Sequence, residues 1–325
     1  MTHHASVNGY KAVKRSDLPP GAWNTFCDQH IGSWWWHREE WMAYALAYAP
    51  GSEDRSVAAV DESGTIRGIR PQIVLNGRLT HGGQDTPVSL IDLSLDAQGA
   101  VEAVCCLFPA GSAVPGRLQG PVGLDSSGGE TYVVDLQADE AVLWSRVRRS
   151  YHSLVHAAER RYAISVLSGT GEGHIIRTCQ RLHLAASGRR TRADATWDLM
   201  GDWLNNAVGI VAVAFDHEQP VPEMFGSCDE CFNDVAEWLP LVGYAYGIRY
   251  KNYAYWASGA TLRPNVQAAL QWAIMKALRS DGSTRFYELG YAAGPDASSK
   301  EQGIGYFKAA WGGIKMGRSV IEVGV

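Results

Sequence analysis

From residue 139 onward, amphipathic helices alternate with short apolar runs, and that alternation limits the chain to folds in which helices cover a sheet. Leu143, Val147, Leu154 and Ala158 recur at helical spacing on one face, while Arg146, Arg149 and Arg160 fall on another. A strand over 163–167 and the glycine loop GTGEG over 169–173 follow. Two helices, about 174–187 and 194–206, are joined by a basic turn that carries Arg189, Arg190 and Arg192. Next come a strand at 208–215, a loop bearing Pro, Gly and Cys, a helix near 229–238, and strands near 241–247 and 250–258. The helix over 265–279 is the clearest in the chain. Asn265 is its expected N-cap, Val266, Leu270, Ala273 and Ala277 form its apolar face, and Asp281-Gly282 stops it. A strand at 285–289, a loop with Gly294, Pro295 and Asp296, a short helix near 305–311 and a last strand at 318–323 complete the order.

The first half reads as a helix over 34–49 and a hairpin of 56–60 and 65–75 around the turn sequence DESG. A Gly/Pro/Ser/Asp-rich stretch over 76–130 follows, and then a strand at 131–136. At 325 residues the chain is long enough for two domains with ordinary cores. The longest apolar runs, 41–49 and 207–215, are far shorter than the about 18 residues that cross a bilayer. The first residues hold no apolar core of a secretory signal, so a cytoplasmic location with reduced cysteines is expected. A net charge of -5 argues against a protein that coats nucleic acid and leaves room for a local basic patch. Twelve Trp and 14 Tyr, with Trp34, Trp35 and Trp36 consecutive, suit either a substrate-lining surface or core packing.

Several motifs fail on chemical grounds. Cys228 and Cys231 have CxxC spacing but no second ligand pair, so no metal is expected. His152 and His156 at i and i+4 suit two metal ligands or a solvated basic face, and the neighbouring arginines favour the second. His81-Gly82-Gly83 resembles an oxyanion loop, yet no G-x-S-x-G supplies a nucleophile. The GTGEG loop lacks the third glycine of a dinucleotide fingerprint, and no G-x-x-x-x-G-K-[ST] is present.

The helix and strand order of the C-terminal third resembles the GNAT acyltransferase fold, in which two central strands splay apart and the substrates meet in the gap. Acyl-CoA-using members carry a Q/R-x-x-G-x-G/A loop whose backbone N–H groups hold the pyrophosphate. The corresponding stretch here, 256–265, lacks that spacing and contains Pro264; the near match over 300–305 lies one strand too late. More specifically, RYKNYAY over 249–255, Pro264-Asn265 opening a helix, FYELG over 286–290 and YFKAAWG over 306–312 resemble the FemAB/FemX family of peptide aminoacyltransferases. The basic helix with Arg148, Arg149 and AAER over 157–160 is similar to the one opening that family's second domain.

The resemblance implies an α/β (α+β) fold of two GNAT-like domains with mixed sheets flanked by helices. The first would be 1–137 completed by 313–325, and the second 138–312. It implies an aminoacyl-tRNA-dependent N-aminoacyltransferase that forms an amide on a peptide or small-molecule acceptor, in natural-product or peptidoglycan-type peptide biosynthesis. The expected partners are the acceptor end of an aminoacyl-tRNA and an amine acceptor, free or carried on a protein, with no bound cofactor. It places Lys308 and Phe307 at the reaction centre. A lysine ammonium there would stabilise the carbonyl oxyanion and the leaving ribose oxygen, and Phe307 would shape the cleft or stack on the terminal adenine. Outside the motif, Lys308 would read as a surface lysine on a short helix. Arg189, Arg190 and Arg192 could fork onto a phosphate or carboxylate or form a solvated turn. Tyr255 and Glu288 are candidates to position the acceptor, and Trp36 to line its surface. No side chain is assigned as general base. The long helical arm of cell-wall members is missing, which would confine any tRNA contact to its acceptor end. Two rival readings are an acyl-CoA-dependent N-acyltransferase and a non-catalytic peptide-binding relative.

Overall fold

A computed structural model describes residues 6–7, 9–79, 89–107, 117–118, 130–216, 241–292, 298–317 and 321–322. Cys228, Cys231, His81, the helix near 229–238 and the loop at Gly294 lie outside the described residues. The chain divides into two compact units, one of 1–128 with 317–325 and one of 129–316.

The first unit holds a five-stranded antiparallel sheet in the order Ser6–Val7, Tyr10–Lys14, Val57–Val60, Ile66–Arg70, Leu90–Ile91. Strand alternation sends Ala58 to one face, against Trp23, Phe26 and Cys27 of helix Ala22–Gln29, and Ala59 to the other, against Ala103, Cys106 and Leu107 of helix Ala97–Leu107. The expected helix over 34–49 is shorter: Trp35–His37 form a 3₁₀ turn and the α-helix runs Glu39–Tyr48. The expected strand 65–75 is cut at Pro71, which cannot donate to a ladder, so Ile73–Leu75 joins a separate small sheet. Ile321–Glu322 pairs antiparallel with Arg117–Leu118.

The second unit carries a seven-stranded sheet. The strands are β1 Glu130–Asp135, β2 Tyr162–Leu167, β3 Gly209–Asp216, β4 Leu241–Tyr250, β5 Tyr253–Thr261, β6 Phe286–Tyr291 and β7 Ile314–Gly317. The helices are α1 Glu140–Arg146, α2 Arg149–Arg161, α3 Ile175–Ser187, α4 Asp194–Asn205, α5 Val266–Asp281 and α6 Ser299–Lys308. Spatial order is β2-β3-β4-β5-β6-β1-β7. Thus β1, read from sequence as the end of the first half, is hydrogen-bonded into this sheet beside β6, and β7 lies at its edge.

One face of the sheet packs on α2 and α5, where Val155, Ala158, Val266, Leu270, Ile274 and Leu278 meet Ala212, Ala245 and Tyr287. The other face is covered by α3 and α4. The single amphipathic helix expected from residue 139 is two helices, broken at Val147–Arg148. The break has a distant cause: the Arg148 N–H donates to the Ala310 carbonyl at 2.8 Å, and its guanidinium lies 3.7 Å from the centroid of the Tyr306 ring. Asn265 precedes α5 as expected but offers no side-chain cap; its backbone is left-handed at φ 69°, a conformation Asn tolerates. Among the described residues no helix is long and apolar enough to cross a membrane.

Candidate functional site

The second unit's sheet opens along one seam. Strands β5 and β6 run parallel and pair only at Tyr253↔Phe286, Ala254↔Tyr287 and Tyr255↔Glu288. Beyond Tyr255, β5 stays on β4 to Thr261, while β6 stays on β1 to Tyr291. Both strands are bulged just past the last shared pair. Opposite β4, Tyr246 pairs with Ser258 and Gly247 with Trp256, leaving Ala257 as an extra residue. Opposite β1, Thr131 pairs with Tyr291 and Val133 with Glu288, and the inserted residue falls beside Gly290, whose φ is +82°. Bulges bend a strand and re-aim its side chains, so these two hold the fork open.

Lys308 sits at this fork. It ends α6, whose start is fixed by a capping box: Ser298 Oγ accepts from the Glu301 N–H, and Glu301 Oε2 accepts from the Ser298 N–H at 2.8 Å. The helix therefore begins about six residues earlier than the short helix read from sequence, because the Ser298/Glu301 signal precedes its apolar residues. The near match over 300–305 to a pyrophosphate loop is helical. A methyl group at Gly290 would lie 3.2 Å from Lys308 Nζ and 3.3 Å from the Tyr255 hydroxyl, so the amine, that hydroxyl and the bare Gly290 backbone converge. Lys308 Nζ is also 5.9 Å from the centroid of the Trp256 ring, within cation–π range. Phe307 is half-buried in an aromatic wall, 5.8 Å from Tyr151, 5.8 Å from Trp256 and 5.7 Å from Trp311 between ring centroids. Glu288 is fully buried; its carboxylate accepts from Thr131 Oγ1 at 2.7 Å and from the Tyr253 hydroxyl at 2.9 Å.

The structure thus brings Lys308, Phe307, Tyr255 and Glu288 to one fork. Trp36 belongs to the first unit, where it is 6% exposed, stacked on Trp34 and edge-on to Trp41, each at 5.8 Å. Arg189, Arg190 and Arg192 lie on the turn between α3 and α4, beside a cavity of about 390 Å³. Arg192 donates to Ser258 Oγ at 3.2 Å, and Arg190 pairs with Asp194 at 3.2 Å. Ser258, opposite Tyr246, and Tyr255, opposite Ile248, face the same side of the sheet because Ala257 is extra. The fork and the arginine turn are therefore joined by one strand, their anchor points opposite β4 residues two positions apart, about 7 Å along the strand.

Gly290, Trp256, Tyr253, Thr131 and Ser258 were not singled out by sequence reasoning. FYELG over 286–290 held a readable signal in its glycine, which ends an apolar strand where a bulge is expected. His152 stacks on Trp144 at 4.1 Å and bonds its carbonyl, and among the described residues no three His, Cys, Asp or Glu side chains form a metal-ligand group.

No protein-family model and no curated protein matches the chain. Solved structures do. FemX is 13% identical, covering 94% of this chain and 95% of that one at a TM-score of 0.63. L-PGS from Bacillus licheniformis is 11% identical, covering 93% and 91% at 0.55. The C-terminal DUF2156 domain of a protein described as a lysylphosphatidylglycerol synthetase from Agrobacterium fabrum is 14% identical, covering 87% and 90% at 0.50. The chain has the mixed α/β, GNAT-type fold that it shares with FemX and L-PGS.

Proposed function

We propose that the protein is an aminoacyl-tRNA-dependent N-aminoacyltransferase that forms an amide on the amino group of a peptide or small-molecule acceptor. The observation that carries this reading is the position of Lys308 Nζ at the fork between β5 and β6, against Gly290 and the Tyr255 hydroxyl. The fold shared with FemX supports it.

In this reading the acceptor amine attacks the ester carbonyl, and negative charge grows first on the carbonyl oxygen and then on the departing ribose oxygen. The Lys308 ammonium faces both in turn, and the aromatic wall of Phe307, Trp256 and Tyr151 keeps water from screening it. The Tyr255 hydroxyl donates to or accepts from the bound substrates, and Glu288, fixed by Thr131 and Tyr253, sets the register of β6 beside it. The amide N–C bond forms, the ester C–O bond breaks, and the proton lost by the amine leaves with the ribose hydroxyl.

The test is amide formation from aminoacyl-tRNA and an amine acceptor, with and without ribonuclease. Loss of product on ribonuclease treatment supports the reading. Product that survives ribonuclease and requires acyl-CoA replaces it.

A further inference from the structure

Helix α6 is exposed from Ser299 to Ile304 and burial begins at Gly305, so the neighbours of its last turn decide where Lys308 points. Two faces of that turn meet the start of α2. Phe307 and Trp311 lie against Tyr151, at 5.8 and 5.7 Å between ring centroids. Tyr306 and Ala310 lie against Arg148: its guanidinium is 3.7 Å from the centroid of the Tyr306 ring, and its N–H donates to the Ala310 carbonyl at 2.8 Å. At about 100° per residue, Tyr306 and Ala310 fall within about 40° of each other and Lys308 about 160° from both. Arg148 therefore holds the back of the turn whose front carries the amine.

The backbone and the side chain of Arg148 fix different things. Its carbonyl accepts from the Tyr151 N–H at 2.8 Å at the start of α2, and its own N–H, outside both α1 and α2, reaches Ala310. Beyond Ala310 the chain is equally confined, since a methyl group on Gly312 would lie 2.9 Å from the Arg146 carbonyl. These backbone approaches fix where the end of the turn passes. They leave the tilt of α6 open, and the stack on Tyr306, one turn earlier, supplies the second point that a direction needs. A guanidinium this close over a tyrosine ring is a favourable cation–π pair. Tyr306 is 61% exposed, so the pair rather than burial holds that ring.

We propose that Arg148 is a positioning residue for Lys308, its stack on Tyr306 setting the tilt of α6 so that the ammonium meets the fork beside Gly290 and Tyr255. Only the effect on turnover rests on the transferase reading. A displacement of about 1 Å at a reacting group can cost about a hundredfold in rate, and a tilt of α6 moves Lys308 while leaving the seven-stranded sheet unchanged. The signature is a fall in kcat with KM nearly constant.

The test is NMR of the full chain with its lysines isotope-labelled at Cε, beside steady-state transfer from aminoacyl-tRNA. The Lys308 signal, assigned by its loss in Lys308→Ala, should stand apart from those of exposed lysines because Nζ lies over the Trp256 ring. In Arg148→Met, which keeps the backbone bond and an aliphatic stem, and in Tyr306→Ala, that signal should move toward the exposed lysines. In both, kcat should fall at least about tenfold, with KM for each substrate within about twofold of the wild type. Tyr306→Phe keeps the ring and should keep the signal and the rate. A Lys308 signal unmoved in Arg148→Met and Tyr306→Ala overturns the proposal. So does a rise in KM for aminoacyl-tRNA in Arg148→Met but not in Tyr306→Ala, which would make Arg148 an RNA contact. A signal that moves while kcat stays constant keeps Arg148 as the anchor of Lys308 and fails the transferase reading of that lysine instead.

Discussion

Lys308 Nζ lies 3.2 Å from where a side chain on Gly290 would begin, so the amine occupies space that exists because residue 290 has no Cβ. The same glycine holds φ at +82° in the bulge of β6, a conformation costing other residues about 1–2 kcal/mol. Gly290→Ala is therefore expected to lower stability by about that amount in urea unfolding. It should also displace Lys308 and cut kcat at least about tenfold, with a smaller effect on acceptor KM. Unchanged kcat in the folded variant would separate Lys308 from the reacting atoms.

Lys308→Ala removes the ammonium from the fork while leaving the aromatic wall of Phe307, Trp256 and Trp311 in place. Loss of one preorganised oxyanion donor costs about 10²–10³ in rate, and that is the expected fall in kcat. Stability should move little, because the side chain is only half-buried. Lys308→Arg should recover only part of the rate, since a guanidinium cannot place its charge as a point at the same position.

What was readable in the sequence was whatever periodicity alone decides. Helix α5 was legible because Val266, Leu270, Ala273 and Ala277 repeat on one face and Gly282 closes it, and β3 because its run is apolar up to Phe215. The YFKAAWG stretch marked Lys308 as a candidate, and the basic turn marked Arg189, Arg190 and Arg192. The fork itself was not legible. It depends on where β5 leaves β6, and on extra residues at Ala257 and beside Gly290 that only partner strands define. The break before α2 was hidden for the same reason, being set by Ala310 and Tyr306 far along the chain. Arg177 and Arg181 stood at i and i+4 of an expected helix; their meeting with Arg192 depended on how α3 and α4 pack.

Glu288 is fully buried between the Thr131 and Tyr253 hydroxyls, so truncation leaves two donors without their acceptor. Glu288→Ala should cost about 2–4 kcal/mol of unfolding free energy, as losses of buried polar partners do. Glu288→Gln, which keeps one acceptor oxygen, should cost less. In a double-mutant cycle with Tyr253→Phe, a coupling of about 1 kcal/mol is expected from denaturant midpoints. A coupling near zero would mean that the Tyr253 bond contributes nothing to holding β6 at the fork.

His183 gives the fold a signature in acid. Its pKa is about 4 in the folded chain and 6.5 as the ordinary value, so between these limits the unfolded chain binds the extra proton. Stability must then rise with pH across that window. The contribution is complete above about pH 6.5 and is lost as pH falls through about 4. Protonation leaves Nδ1 able only to donate, so the Tyr244 hydroxyl, which also bonds Ser258 Oγ beside Arg192, can no longer donate to it. His183→Gln keeps an acceptor for the Tyr244 hydroxyl and cannot titrate. Its thermal midpoint should fall less than the wild type's between about pH 7 and pH 4. Equal falls in the two proteins would show that His183 does not titrate between its folded and ordinary values.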